Sequence, residues 1–283
     1  MSDAPSYAEL QTWAMNAFAG SQIAVSPREV QLLLMGAAEL DRAGLIGRER
    51  DVCPLATRQR FSEFVARRLR HEPVYRILGR REFHGLDLQL NEATLEPRDD
   101  SECLLDAVFE TISDNRAALR FLDLGTGTGA LALALLVELP NASCIAVDVE
   151  PRALQAATLN AEAHGLRNRF EPLQSSWFEN ITGRFDFIIS NPPYIASSVM
   201  RELEPEVRLY DPPAALDGGV DGLDAYRIIL EQGRDHLLPD GFLGLEIGHD
   251  QKRSVSQLAR QSQWQVVQSY RDLAENDRVL IIR

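Results

Sequence analysis

Phe121-Leu122-Asp123-Leu124-Gly125-Thr126-Gly127-Thr128-Gly129-Ala130 decides the fold. Phe121 to Leu124 reads as a short buried strand, the three glycines as a tight turn, and Ala130 to Leu139 as a nearly all-apolar helix stopped by Pro140. A second strand, Ser143 to Asp148, and a second helix, Pro151 to Ala163 with proline in its first turn, follow at once. Strand, helix, strand in this order is a βαβ unit, so the strands are parallel and the crossover right-handed. The same rhythm continues with a weak strand at Phe170 to Leu173, a strand at Phe185 to Ser190, a helix at Ala225 to Leu237, a strand at Gly241 to Glu246 and a helix at Lys252 to Ser262. Trp264 to Tyr270 and Val279 to Ile282 add two strands with no helix between them, which predicts an antiparallel closing pair. The expectation is an α/β domain on a mostly parallel, seven-stranded, Rossmann-like sheet.

Upstream, the pattern is different. Tyr7, Leu10, Trp13, Ala14 and Phe18 recur at helical spacing, and Ser26-Pro27-Arg28-Glu29 reads as a helix start for an amphipathic run from Val30 to Leu40. A third run, Thr57 to Leu69, puts Phe61, Phe64, Val65 and Leu69 on one face, and Arg58, Arg60, Arg67, Arg68 and Arg70 read as its solvated side. Beyond Pro73, Val74 to Gly79 and Arg81 to Leu90 alternate with period two, a hairpin pattern. The expected division is a helical bundle over 1–72, a candidate substrate-docking surface, then a β-hairpin linker over 73–92 and the α/β domain over 93–283.

With 283 residues, 45% hydrophobic and 25% charged, the chain is long enough for two globular parts. Its longest apolar runs fall short of a membrane span, and Met1-Ser2-Asp3-Ala4-Pro5 carries no export pattern, so no membrane association is expected. Cys53, Cys103 and Cys144 are odd in number and widely spaced, which argues against disulfides and zinc and for a cytoplasmic setting. The five histidines are scattered, so no metal site is expected. A net charge of −13 offers no basic stripe for duplex DNA, and stable nucleic-acid binding is not expected.

Two stretches carry chemistry. Gly125-Thr126-Gly127-Thr128-Gly129 lets a ligand approach backbone closely, but its GxGxG spacing differs from the dinucleotide pattern. Asp148 ends the next strand, where a carboxylate accepts both hydroxyls of a ribose, and Asp123 reads as a residue that orients the loop amides. Ser190-Asn191-Pro192-Pro193-Tyr194 ends the fourth strand, because two prolines stop a sheet ladder. It leaves an amide, two constrained carbonyls and an aromatic ring at the sheet edge where ligands bind. Oxygens there accept the N–H bonds of a planar nitrogen, and Tyr194 stacks on its plane. An adenine amine and a glutamine amide fit this description equally.

In combination these motifs resemble the class I S-adenosylmethionine-dependent methyltransferases that act on planar nitrogens. Gly79-Arg80-Arg81-Glu82-Phe83, Glu96-Pro97-Arg98 with Glu102, Trp177-Phe178, Glu206-Val207-Arg208 to Asp211-Pro212, Ala215 to Gly219, Asp221-Gly222-Leu223 and Asn276-Asp277-Arg278-Val279 extend the match to the HemK/PrmC family, from about residue 70 to the end. That resemblance implies an enzyme using S-adenosyl-L-methionine to methylate the side-chain amide nitrogen (N5) of the glutamine in the Gly-Gly-Gln motif of a peptide-chain release factor. It implies that Gly125, Thr126, Gly127, Thr128, Gly129, Asp148 and Trp177 hold the cofactor, with Asn191 beside it. Asn191, Pro192, Pro193 and Tyr194 would hold the glutamine, with Asn191, Pro192 and Tyr194 catalytic. The chain departs from the family pattern at Asp99, where proline is common, at Ser101, where threonine is, and at Ser176, where an acid often precedes the tryptophan. Two further readings stay open: an adenine-N6 DNA or RNA methyltransferase, and a binding module on the same fold.

Overall fold

A capping box opens each of the first two helices. The Ser6 hydroxyl accepts from the Glu9 N–H and Glu9 accepts from the Ser6 N–H; Ser26 and Glu29 repeat the arrangement. The computed structural model describes residues 4–21 and 23–283, which fall into two compact units. The first comprises residues up to Gly79 together with a distant segment, Pro205–Tyr210. It contains α1 (Tyr7–Ala19), α2 (Pro27–Ala38), α3 (Arg42–Gly47), α4 (Leu55–Arg68) and α5 (Val74–Leu78). Their apolar faces meet around Phe18, Leu33, Leu34, Phe61 and Val65.

Two sequence expectations need correction here. Val74 to Leu78 is a helical turn and a half, not a strand: Pro73 precedes it, and Gly79 at φ 71 ends it. Five residues are too few for a period to separate helix from strand. Nor is Arg68 solvated, being only 2% exposed. Its Nη2 donates to Glu29 at 3.2 Å and to Glu206, in the distant segment, at 2.7 Å. Tyr210 in that segment donates its hydroxyl to the Arg70 carbonyl at 2.9 Å. Glu29 thus caps α2 with one oxygen and holds Arg68 with the other.

The second unit spans Arg80–Glu204 and Asp211–Arg283. A hairpin of β1 (Arg80–Phe83) and β2 (Leu86–Gln89) opens it, turning through His84 and Gly85, both at positive φ. This hairpin is part of the unit's core: Phe83, Leu86 and Leu88 are buried with the sheet residues, and the Asn160 side chain bonds the Gln89 backbone on both sides. There follow α6 (Glu102–Thr111), β3 (Arg120–Leu124), α7 (Ala130–Glu138), β4 (Ser143–Asp148), α8 (Pro151–Ala163), β5 (Phe170–Gln174) and β6 (Phe185–Ser190). After α9, the Pro205–Tyr210 segment of the first unit, come α10 (Asp224–Gln232), β7 (Leu237–Glu246), α11 (Lys252–Gln261), β8 (Val266–Arg271) and β9 (Asp277–Ile282).

The seven strands lie in the order β5-β4-β3-β6-β7-β9-β8, with β9 antiparallel to both neighbours and all other pairs parallel. Phe121, Phe187 and Phe242 pair across β3, β6 and β7 and stack with centroids 4.8 and 5.3 Å apart, which pins the register of the three central strands. Residues of α6, α7 and α8 cover one face and those of α10 and α11 the other. Strand order reverses between β3 and β6, and ligands bind at the carboxyl ends beside such a reversal.

The turn after β3 is built by hydrogen bonds. Gly125 and Thr126 both donate their N–H to the Val147 carbonyl, and Gly125, Gly127 and Gly129 have φ of 75, 55 and 82°. Asp123, 1% exposed, accepts the Thr126 hydroxyl at 2.7 Å rather than the loop amides expected from sequence. Burial pushes its carboxyl up to about 7, against the opposing hydrogen bond from Thr126.

Two outcomes test these assignments. Arg68→Ala should cost the helical unit about 1–3 kcal/mol, whereas Arg68→Met, which keeps the packing of the stem and removes a buried charge whose Nε and Nη1 bond no described residue, should cost less. Urea unfolding of both variants checks this, and equal losses would refute the packing argument. For Asp123, the folded pKa lies above the unfolded one, so the folded state holds a proton that the unfolded state has lost across roughly pH 4 to 7. Stability should therefore decline as pH rises through that window, and Asp123→Asn should flatten the decline.

Candidate active site

Leu124 and Ser190 are paired residues at the carboxyl ends of β3 and β6, so the glycine loop and Asn191 begin side by side. The fully buried Ser190 hydroxyl donates to the Leu124 carbonyl at 2.7 Å. A cavity of about 390 Å³ opens there, within the size range of small-molecule sites. Gly125, Thr126, Gly127, Thr128, Asp148, Trp177, Asn191 and Pro193 all line it, as do Phe83, Pro97, Arg98, Ser101 and Ala215. Three expected site residues stand outside its lining: Gly129, Pro192 and Tyr194. A Cβ on Gly129 would press on Ala157 and Leu133 at 3.3 Å, so this glycine serves helix packing, and Pro192 is buried.

The cavity's lining suits a nucleoside. A Cβ built on Gly125 or Gly127 meets no atom within 4 Å, so the loop backbone faces open space that side chains would fill. Asp148 accepts the Gly127 N–H at 2.9 Å on one oxygen and the Glu150 N–H at 3.0 Å on the other, which leaves a lone pair on each for vicinal hydroxyls. Burial raises its pKa, and these N–H bonds oppose the rise. Trp177 stands at φ 50°, an uncommon conformation for a bulky residue, and combines cavity lining with packing against the core.

Around Asn191 the structure adds residues that sequence reading gave no role. The Asn191 Nδ2 donates to the Ser101 hydroxyl at 3.2 Å, which commits the amino end of the amide and leaves Oδ1 to accept. The Tyr194 carbonyl accepts from Gln251 Nε2 at 2.9 Å, and the Ile195 N–H and carbonyl bond Leu216 and Gly218. A Cβ on Gly218 would stand 2.8 Å from the Pro193 carbonyl oxygen and from Tyr194 Cα; one on Gly222 would collide with the Tyr194 carbonyl. The Ala215 to Leu223 stretch is therefore a clamp on the backbone that carries Pro193 and Tyr194. Burial, with the negative charge of Glu246 behind it, pushes the Tyr194 phenol up to about 12, so it stays neutral.

The residues that depart from the family pattern are accommodated. Asp99 accepts from Arg81 Nη2 at 2.6 Å, beside the Arg81–Glu96 pair, and so ties the 95–101 wall to β1. Arg98 pairs with buried Asp211 at 2.7 Å. Ser176 lines the cavity. Ser101 and Asn191 are 90 positions apart, and only their proximity in space reveals Ser101 as a partner of Asn191.

Among the described residues no group of three or more His, Cys, Asp or Glu side chains is placed to hold a metal, and no helix is long and apolar enough to cross a membrane. The PrmC N-terminal domain model matches residues 9–79, and the Methyltransferase small domain model residues 99–203. The release factor glutamine methyltransferase of Agrobacterium fabrum is 48% identical over 79% of this chain and 78% of its own. The one from Cereibacter sphaeroides is 40% identical over 95% of both. A methyltransferase structure from Pyrococcus furiosus superimposes with a TM-score of 0.52 at 20% identity, covering 70% of this chain and 88% of that one, which speaks to the fold alone. With a class I methyltransferase sheet, a helical unit matched by its own model and relatives this similar along most of its length, the chain belongs to the release factor glutamine methyltransferase family.

Proposed function

We propose that this protein methylates the N5 side-chain amide nitrogen of the glutamine in a release factor's Gly-Gly-Gln motif, with S-adenosyl-L-methionine as donor. The observation that carries the reading is one cavity lined by the glycine loop, Asp148 and Asn191, in a chain of this family. Gly125 to Thr128 admit the cofactor close to backbone, Asp148 takes its ribose hydroxyls, and Trp177 borders its adenine. Bound S-adenosylmethionine supplies a methyl carbon made electrophilic by its sulfonium. The protein's task is then the nucleophile. An amide nitrogen is weakly nucleophilic because its lone pair is delocalised. Asn191 Oδ1 and the Pro192 carbonyl accept its two N–H bonds and favour the pyramidal form whose lone pair points at the methyl. Tyr194 stacks on the amide plane. Orientation of this kind contributes up to about 7–11 kcal/mol to barrier reduction. Because the Tyr194 phenol is neutral, it takes no proton; the proton leaves for water after transfer.

Asp99 and Ser176 do not favour a binding module, since the first is held by Arg81 and the second leaves the cavity open. Net charge −13 opposes a nucleic-acid substrate, and Cys53, Cys103 and Cys144, all free, suit a reducing cytoplasm.

Labelled S-adenosylmethionine should mark a purified release factor, fail to mark the same factor with its motif glutamine replaced, and fail to mark DNA or RNA. Asn191→Ala should lower transfer at least about 100-fold with an unchanged melting temperature. Labelling of nucleic acid alone, or of nothing, by the wild-type protein would overturn the reading.

A further inference from the structure

Glu246 ends β7, next to β6, and is 2% exposed. It does not line the cavity, yet a carboxylate in this position is expensive unless it is used. Its backbone carbonyl accepts the buried Tyr226 hydroxyl at 2.9 Å, and its Oε2 has no hydrogen-bond partner among the described residues. Leu245 and Ser190 are paired at the ends of β7 and β6, so Glu246 and Asn191 leave adjacent strands side by side; Ser101, whose hydroxyl accepts from Asn191 Nδ2 at 3.2 Å, and the Asn191 amide both hold the carboxyl toward its charged form.

We propose that Glu246 is a positioning residue for methyl transfer, fixing directly and through Ser101 which end of the Asn191 amide is presented to the substrate nitrogen. The inference rests on the function proposed above and concerns a residue that touches neither cofactor nor substrate.

Hydrogen-bond polarity links the carboxyl to the amide. A carboxylate only accepts, so an ionised Glu246 takes the Ser101 proton. The Ser101 oxygen then accepts from Asn191 Nδ2, and Asn191 Oδ1 is left for the glutamine N–H. A neutral Glu246 donates instead. Ser101 then turns its proton toward Asn191, the amide gains by rotating, and its amino end meets the substrate's own N–H. The two protonation states thus set opposite orientations of the amide.

Every charged or titratable neighbour bears on that choice. Burial pushes the carboxyl up to about 7; the Ser101 hydroxyl, Arg278 and the Asn191 amide favour the charged form, and Asp100 opposes it. Arg278 is shared with Asp272, which accepts from its Nη2 at 2.8 Å, and with Asp100 at 3.3 Å. Cys103, Tyr194 and Tyr226 also face the carboxyl, and burial raises all three, so they remain neutral around pH 7.

The test pairs kinetics with a readout that needs no substrate. The Asn191 side-chain NH₂ resonances of the ¹⁵N-labelled protein should shift with a midpoint near pH 7 in the wild type and show no such titration in Glu246→Gln. Single-turnover labelling of a release factor should show an acid limb with the same midpoint; Glu246→Gln should lose that limb and fall at least tenfold in rate at pH 8, with S-adenosylmethionine affinity changed less than threefold. Ser101→Ala should reproduce the loss, and Ser101→Thr, which restores a hydroxyl, should recover most of it. Should Glu246→Gln misfold, the Ser101 pair carries the same comparison. Asn191 resonances indifferent to pH, or an acid limb retained in the variants, would overturn the proposal. A wild-type protein that labels no release factor sinks the functional reading instead, and the resonance titration still decides the role of Glu246.

Discussion

The hydrogen bond from the Ser190 hydroxyl to the Leu124 carbonyl joins the carboxyl ends of β3 and β6, and the site is assembled outward from it. The last carbonyl of a buried strand needs a partner, and a neighbouring strand's ladder cannot supply one where that strand is about to meet two prolines. Ser190 fills the need from its side chain. With both strand ends held, the glycine loop leaves on one side of the crevice and Asn191 on the other. The glycine loop and Asn191 are thereby given a fixed separation by backbone rather than by flexible side chains, which suits the proposed transfer, whose rate depends on alignment.

Behind this joint lies the stack of Phe121, Phe187 and Phe242. A one-residue slip of either neighbour would turn an aromatic ring to the opposite face and open a large void in the sheet's core. The register is secured well away from the site, and the site inherits its precision from it. The same logic extends to the loop beyond Asn191, where Gly218 and Gly222 approach the Pro193 and Tyr194 backbone too closely for any side chain. Rigid packing on one side and the hydrogen bond from Gln251 to the Tyr194 carbonyl on the other keep the Pro193–Tyr194 backbone from relaxing.

Features encoded by adjacent residues were legible in the sequence. The βαβ rhythm, the glycine turn, the acid ending β4 and the double proline ending β6 each follow from local stereochemistry, and with them the sheet and most of the cavity wall. Ser101, Gln251 and Glu246 were not legible as a group, because Asn191 and Ser101 are 90 positions apart and Gln251 and Tyr194 are 57. Only the folded sheet makes them neighbours. Arg68 misled for a related reason: on α4 alone it belongs to a run of arginines, and one of its two carboxylate partners, Glu206, arrives 138 residues later. Five residues at Val74 to Leu78 gave too short a window for periodicity to speak.

The grouping of Pro205–Tyr210 with the amino-terminal helices has an evolutionary consequence. The first unit is written in two places along the chain, and its second piece lies inside the loop between Tyr194 and Leu223 that also clamps the active-site backbone. A recombination event that exchanged only the leading helices would leave α9 without its native arginine and tyrosine contacts. For these contacts to survive, both pieces have to be exchanged together, which makes this helical unit a poor candidate for shuffling onto other enzymes.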